Sequence, residues 1–202
     1  MIRTPQFYII WVTFVVSAMA GLMVIGSISG MAKKSMGELA FVAVAVMAIG
    51  NAGGRILAGT LSDKIGRRWT LCLVLTIQAM LMLVAIPVTA SKDMAAVVIV
   101  LLAACIGANY GANLALFPSY AKDLWGLKTF GMNYGVLFTA WGVGGFVLPR
   151  VQQMLYQASK NADGTGGSYM SSFIVASVLL LVGTALTFLI KPPQPKLAAA
   201  AA

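Results

Sequence analysis

The chain alternates long apolar segments with short polar ones. Six apolar segments, each about 20 residues or more, lie at residues 7–31, 39–61, 69–88, 94–117, 130–148 and 170–190. An α-helix rises about 1.5 Å per residue, so about 20 apolar residues cross the roughly 30 Å hydrocarbon layer of a bilayer. The pattern therefore predicts an all-α membrane protein with six transmembrane helices.

The composition agrees with this prediction. Of the 202 residues, 60% are hydrophobic and 9% are charged, whereas soluble domains carry about 25% charged residues. The longest connection, residues 152–168, is polar and glycine-rich, so no soluble domain is expected. We expect one membrane domain at residues 1–193, with its first span retained instead of cleaved as a signal peptide. The alanine-rich tail, 194–202, is expected to be disordered or derived from cloning.

The basic residues indicate orientation in a membrane. The formal net charge is +9, but Lys and Arg are scattered over span ends and form no single patch, so no nucleic-acid partner is expected. Eight lie on the side that carries both termini: Arg3, Lys64, Arg67, Arg68, Lys122, Lys128, Lys191 and Lys196. Five lie on the opposite side: Lys33, Lys34, Lys92, Arg150 and Lys160. This moderate positive-inside bias predicts a multi-pass protein of the cytoplasmic (inner) membrane with both termini in the cytoplasm.

The sequence lacks the residue sets that metal sites and enzymes use. Histidine is absent, and Cys72 and Cys105 lie singly in different spans, so neither a disulfide nor a metal site is expected. No nucleophile with a base, carboxylate pair or phosphate-binding loop is present. We therefore expect no cofactor and no enzymatic activity.

Arg55 lies inside the second apolar span, about five residues from its middle, or roughly 7 Å at 1.5 Å per residue. An ionised guanidinium costs several kcal/mol in hydrocarbon, so it requires a partner. Residues three, four and seven positions away share its side of the helix. These residues are all small or polar: Ala48, Asn51, Ala52, Ala58, Gly59 and Ser62.

Two interpretations of this face are open. Arg55 could extend to the membrane interface while the small residues pack against another helix. However, helical side chains lean towards the N-terminus, which directs Arg55 back towards the membrane centre. The acidic residues all lie in loops or at span ends: Glu38, Asp63, Asp93, Asp123 and Asp163. We therefore favour a water-filled cavity in which Asn51 and Arg55 meet a small organic anion.

The second span ends in GTLSDKIGRR, which resembles the G-x-L-a-D-r-x-G-r-k loop signature of the major facilitator superfamily. Gly59 would let a neighbouring helix approach and Gly66 would permit a tight turn. Asp63 would face the basic side chains of Arg67 and Arg68. The resemblance implies a charged latch that holds one conformation of a rocking transporter; the alternative is an ordinary basic cytoplasmic loop.

The resemblance covers all six spans. In that superfamily the signature lies between the second and third helix of a six-helix half, as it does here. The stretches RTPQFYIIW, AGLMVIG, ALFPS and NYG further resemble the second half of oxalate/formate antiporter family proteins, relatives of monocarboxylate transporters. This likeness implies two inverted three-helix repeats, equivalent to helices 7–12 of a twelve-helix protein. An N-terminal six-helix half, from the same gene or a second chain, is then the expected protein partner.

The same resemblance places spans one, two, four and five around a central cavity. In span four, Asn109 and Asn113 lie beside Tyr110. The two asparagines either bond a neighbouring helix or, together with Tyr110, border the substrate. In span five, Tyr134, Phe138 and Trp141 share one face, and Trp141 lies mid-span, away from the aromatic belts at the interfaces. Aromatic residues in membranes often pack or face lipid, but we expect these to contact the apolar part of a substrate.

These features predict half of a secondary active transporter for small organic carboxylates of the formate, lactate, pyruvate or oxalate class, working by alternating access. One cation with an aromatic face favours a monocarboxylate over a dianion. This half embeds neither a carboxylate nor a histidine, so anion exchange is favoured over proton symport. The alternatives are another cargo for the same superfamily, such as a sugar, drug or amino acid, and a non-transporting structural or receptor protein of the membrane.

Overall fold

The structure is a computed structural model that describes residues 1–91, 95–161 and 166–191, without the side chains of residues 27–29, 31, 34 and 35. Six helices account for most of this part of the chain: α1 (Pro5–Met36), α2 (Ala40–Ile65), α3 (Arg67–Ala90), α4 (Ala96–Trp125), α5 (Phe130–Ala158) and α6 (Met170–Thr187). A 3-10 turn, Gly37–Leu39, separates α1 from α2. The predicted all-α fold is confirmed. The expected start of the fourth span at residue 94 and the tail, 194–202, lie outside the described residues.

Several helices continue beyond the apolar segments that predict them. α4 ends at Trp125 instead of residue 117, and α5 ends at Ala158 instead of residue 148. An apolar segment ends where the side chains become polar. The helix itself can continue, because its backbone hydrogen bonds do not require apolar side chains. Within the described residues, five helices are long and apolar enough to cross a membrane. The other helix, α5, has 29 residues but carries polar side chains near its end, including Arg150 and Gln152.

The helix packing follows an inverted repeat. α2 packs most extensively on α4, α1 on α5, and α3 on α6. Exchanging α1 with α4, α2 with α5, and α3 with α6 converts the α2–α4 and α1–α5 pairs into one another and leaves the α3–α6 pair unchanged. The contact of α1 with α6 likewise matches that of α4 with α3. The described helices therefore form two three-helix units with corresponding contacts, α1–α3 and α4–α6.

The core lies where α1 meets α4. The rings of Phe14 and Phe117 stack with centroids 4.0 Å apart, and both side chains are buried. Among the five helices that are long and apolar enough to cross a membrane, α1 is the most buried and α2 the least. Much of α2 is consequently available to a partner or to lipid.

α2 and α4 touch through their backbones. A β-carbon added to any of four glycines would collide with a carbonyl of the facing helix: Gly50 with Ala104, Gly54 with Ala108, Gly107 with Met47, and Gly111 with Asn51. Only glycine permits so close an approach. This contact fixes Asn51, and the helix turn that carries Arg55, against α4.

Both described ends of the chain meet at one end of the bundle. The side-chain oxygen of Gln6 accepts a hydrogen bond from the backbone N–H of Lys191 at 2.9 Å. Arg68, at the start of α3, donates to the carbonyl of Phe188 at 2.9 Å. We call this end, marked by Gln6, Gly66 and Lys191, the terminal face.

Candidate functional site

Arg55 is exposed on α2 and has a neutral partner on its own helix. Its Nε donates a hydrogen bond to the Oδ1 atom of Asn51, one turn earlier, at 3.1 Å. Among the described residues no carboxylate lies within ion-pair distance of the guanidinium. The asparagine orients the arginine without cancelling its charge.

A cavity of about 580 Å³ lies beside this pair. Its lining residues are Ile25 of α1 and seven residues of α2: Val44, Met47, Ala48, Asn51, Ala52, Arg55 and Ile56. Apart from Asn51 and Arg55 the lining side chains are apolar, as in pockets for small molecules, where a few polar groups fix orientation. The cavity can hold a small anion with an apolar part.

The small-residue face predicted around Arg55 divides between two environments. Ala48, Asn51 and Ala52 line the cavity, whereas Ala58 and Ser62 are buried. No described part of the chain comes within 4 Å of a β-carbon built on Gly59. Within the described chain α2 is approached closely at Gly50 and Gly54, and a helix approach at Gly59 stays a prediction.

Tyr110 and Trp141 join α4 to α5. The indole N–H of Trp141 donates a hydrogen bond to the Tyr110 hydroxyl oxygen at 2.6 Å. The Tyr110 ring lies directly against Gly21 of α1, where even a methyl group would overlap it. Three helices thus fix the position of Tyr110. The role of Gly21 was not predicted, because nothing in its sequence context distinguishes it from the other glycines of α1.

Three more aromatic rings follow Trp141 along α5. Phe138 stacks on Trp141 with centroids 5.3 Å apart, Tyr134 lies 5.5 Å from Phe138, and Phe130 stacks on Tyr134 at 5.7 Å. Arg55 lies within electrostatic range of the hydroxyl groups of Tyr110 and Tyr134. The structure therefore brings the cation and the predicted aromatic residues into one region, although the rings are not part of the cavity lining beside Arg55.

Asn109 is the predicted site residue with the weakest structural connection to Arg55. Its side-chain amide donates to the carbonyl of Cys105 on the same helix at 3.0 Å. It is absent from the lining of the cavity beside Arg55. Asn113, one turn further along, is buried and donates to the carbonyl of Asn109. Both amides thus bond within α4.

The predicted latch is a junction of two helices with one residue between them. α2 ends at Ile65 and α3 begins at Arg67. Gly66 between them has a φ of 89°, in the region that favours glycine. Its N–H donates to the carbonyl of Ser62 at 3.1 Å. The junction brings Arg67 of α3 into contact with Ser62 and Asp63 of α2 at the terminal face.

Arg67 is the centre of the ion-pair network. It contacts Asp63 at 2.7 Å and Asp123, near the end of α4, at 3.1 Å, and it also bonds the Ser62 hydroxyl. Arg68 does not share Asp63; its guanidinium lies 5.3 Å from the centre of the Phe188 ring. Sequence reasoning identified Asp123 as a span-end acid but not as a latch residue, because only the fold brings α4 to this junction.

The inverted repeats, the apolar helices and this junction define an integral membrane protein of the transporter type. The chain belongs to the Major Facilitator Superfamily, whose family profile matches residues 9–202. Its curated relatives carry transporter names, and this family comprises transporters and not enzymes.

Three relatives illustrate the similarity. The chain is 35% identical over 146 residues to the uncharacterized MFS-type transporter YhjX of Escherichia coli, covering 70% of this chain and 35% of the relative. It is 32% identical over 143 residues to the oxalate:formate antiporter of Oxalobacter formigenes, covering 69% and 33%. It is 30% identical over 132 residues to the MFS transporter asaE of Aspergillus flavus, covering 65% and 28%. The chain thus spans about a third of the length of these relatives.

Proposed function

We propose that this chain is one half of a secondary transporter that exchanges small organic carboxylate anions by alternating access. The substrate class is monocarboxylate, such as formate, lactate or pyruvate. The protein resides in the cytoplasmic membrane with its terminal face towards the cytoplasm, in keeping with the positive-inside bias of the sequence.

The observation that carries the proposal is the charge of Arg55. It faces a cavity of about 580 Å³, and its described partner is the neutral amide of Asn51. A guanidinium in a membrane-spanning helix requires a counter-charge or water. A carboxylate is the natural counter-charge because two of its oxygens match the two N–H groups along one edge of a guanidinium.

The oxalate:formate antiporter relative supports the cargo class, since its name specifies two carboxylates. Arg55 as a single cation favours a substrate with one carboxylate, and the aromatic rings on α5 nearby favour the apolar remainder of larger monocarboxylates such as lactate and pyruvate. Tyr134 and Trp141 would contact that remainder. A dianion would need a second cation, which a partner half could supply.

Exchange follows from the cost of an unpaired cation. Closing an empty cavity around Arg55 would remove its charge from water without compensation. A bound anion neutralises Arg55, so reorientation is favoured with substrate and disfavoured without it. Alternating access is thereby restricted to loaded states, which is the requirement for an exchanger.

A six-helix partner half is expected at the least buried helices. Large apolar side chains are exposed on both α2 and its repeat equivalent α5: Ile49, Ile56, Leu57, Met132, Phe146 and Met154. We propose that a second half of similar architecture covers these faces and closes the cavity beside Arg55. The relatives, which are about three times as long as the matched segment, have room for such a half.

Counterflow in liposomes tests the proposal. The chain is combined with a matching N-terminal six-helix half. The uptake of labelled formate, lactate and oxalate is then measured into liposomes that contain each unlabelled anion in turn. We expect exchange of the monocarboxylates, weaker binding in Arg55→Lys and no exchange in Arg55→Ala. Arg150→Gln is the control, because this substitution also removes one positive charge. Arg150 lies at the opposite end of α5 from the terminal face.

Direct binding provides a second measurement that does not require transport. Formate or lactate is titrated into the purified chain, and tryptophan fluorescence reports occupancy near Trp141. Loss of the response in Arg55→Ala, with retention in Arg150→Gln, supports the proposal. Undiminished exchange by Arg55→Ala would refute the role of the arginine, and preferred uptake of sugars or amino acids would refute the cargo class.

A further inference from the structure

A second cavity, of about 500 Å³, opens at the terminal face, where α2 meets α3. We call it the junction pocket. It is lined by the α2–α3 junction together with residues near the ends of α4 and α6. Its lining includes the basic residues Arg67, Arg68 and Lys191 and the aromatic residues Trp69 and Tyr120. It does not include Arg55, so it is separate from the cavity of the proposed transport site.

Two buried donors on this lining lack a hydrogen-bond partner within the described chain. Tyr120 is 3% exposed, and its hydroxyl group is unpartnered. The Nε atom of Arg68 is also buried and unpartnered. A buried polar group without a partner costs about 1–3 kcal/mol. Two such donors at one pocket indicate that an acceptor binds there.

The N-terminus of α3 adds further donors to the junction pocket. Its N-cap residue is Gly66, so no side chain caps this 24-residue helix, and the first turn contains no acidic residue. The first N–H groups of a helix have no intrahelical partners, and the helix dipole places partial positive charge there. Backbone donors of this kind bind phosphate and other anions at many helix N-termini.

The charges of the junction pocket leave two cations available. Asp63 and Asp123 also line it, but Arg67 lies between them and contacts both. Arg68 and Lys191 have no carboxylate within ion-pair distance in the described part of the chain. Arg68 is held in place by its hydrogen bond to the Phe188 carbonyl and by its position over the Phe188 ring.

The rim of the junction pocket is apolar and exposed. Trp69 and Phe188 form an edge-to-face pair with centroids 6.0 Å apart, and Leu189 beside them is also exposed. Tryptophan at the end of a membrane span marks the headgroup level of the bilayer. Cations and a helix N-terminus above an apolar rim fit a ligand with a phosphate head and acyl chains.

We infer that the junction pocket binds the phosphate headgroup of an acidic phospholipid. The phosphate accepts hydrogen bonds from Tyr120, Arg68 and the first turn of α3, with Lys191 contributing charge. The acyl chains lie along Trp69 and Phe188. This site is independent of the transported substrate and does not require the proposed function to be correct.

Native mass spectrometry of the purified chain in an uncharged detergent tests the inference. Phosphatidylglycerol, phosphatidylcholine of the same chain length and inorganic phosphate are titrated separately, and retained molecules are counted. We expect one phosphatidylglycerol to be retained preferentially. Inorganic phosphate is then added to the lipid-loaded protein as a competitor.

The most informative variant is Tyr120→Phe, which removes only a hydroxyl group and leaves the net charge unchanged. We expect it to weaken phosphatidylglycerol binding about tenfold, the usual weight of a hydrogen bond to a charged group. Tyr8→Phe is the matched control, because Tyr8 is exposed on the first turns of α1 at the same face. The Tyr8→Phe variant should bind phosphatidylglycerol as the wild type does.

Charge variants provide an independent comparison. Arg68→Gln should weaken binding tenfold or more, whereas Lys64→Gln, outside the junction pocket, should weaken it at most about fivefold through the general surface potential. Should Arg68→Gln fail to fold by circular dichroism, Tyr120→Phe decides alone. The inference is overturned if folded Tyr120→Phe binds like the wild type, if phosphatidylcholine is retained equally well, or if inorganic phosphate displaces the lipid and so identifies a free-anion site.

Discussion

The indole nitrogen of Trp141 lies 2.6 Å from the hydroxyl oxygen of Tyr110, and this hydrogen bond connects α5 to α4 in the membrane interior. Tyr110 in turn rests on Gly21 of α1. Trp141, which is predicted to contact the substrate, is therefore held by Tyr110, which is itself predicted to border the substrate. The orientation of the Trp141 indole depends on this one hydrogen bond, from its N–H to the Tyr110 hydroxyl oxygen.

Trp141→Phe should weaken substrate binding about fivefold, since it removes the hydrogen bond that holds Trp141 and Tyr110 in position at the proposed site, worth about 1 kcal/mol. The matched control is Trp11→Phe, which removes another indole bond to α5, from Trp11 to Thr139 at 3.0 Å. Anion titration monitored by calorimetry distinguishes the two. Equal effects of both variants would show that the Tyr110 bond has no specific role in binding.

Gly54→Ala should destabilise the protein by several kcal/mol, because its methyl group would overlap the Ala108 carbonyl of α4. Gly53→Ala is the control: nothing lies within 4 Å of its added β-carbon. That substitution should be neutral or stabilise by up to about 1 kcal/mol through helix propensity. Thermal unfolding in detergent measures both, and similar melting temperatures would contradict the close contact of α2 with α4.

Asp123→Asn should destabilise the terminal face more than Asp63→Asn. The Asp123 side chain is 24% exposed and that of Asp63 67%, while both contact Arg67. An exposed ion pair contributes about 0.2–1 kcal/mol, and a hydrogen bond to a partly buried charge about 2 kcal/mol. Comparison of the two melting temperatures, at low and high salt, checks this order. A larger loss in Asp63→Asn would exclude Asp123 as the principal partner of Arg67.

Gly66→Ala should cost about 1–3 kcal/mol, because its φ of 89° is strained for any residue with a β-carbon. Gly59→Ala, seven residues earlier, should leave the stability of the isolated chain unchanged, since its β-carbon would meet nothing in the described chain. If a partner half approaches Gly59, the same variant should weaken assembly of the two halves. Unfolding and co-purification measurements separate these effects.

The helical fold could be predicted from the sequence because membrane crossing requires a run of apolar residues of a known length. The helix ends could not, since α4 and α5 continue as helices after their apolar segments stop. The inverted repeat came from a family resemblance and not from the hydrophobic pattern. Its physical expression is that α2–α4 and α1–α5 occupy corresponding places in the two repeats, although the α2–α4 contact is the more extensive.

The candidate site was only partly predictable. Arg55 is conspicuous because a charge in an apolar span is costly, and Asn51 follows from helical geometry. Partners on other helices carry no such signal: Gly21 supports Tyr110, and Asp123 meets Arg67 across 56 residues of chain. Long-range contacts of this kind depend on how helices pack, which single-helix patterns do not specify.

The glycine contacts between α2 and α4 have a mechanical consequence. Backbones that touch at four points cannot slide or tilt separately, so the two helices behave as one lever. Arg55 lies along this lever, and Asp63 and Asp123 lie at its end. If an anion binds Arg55 as proposed, this close packing would carry its pull to the terminal face as a rigid-body rotation, without a relay of side-chain rearrangements.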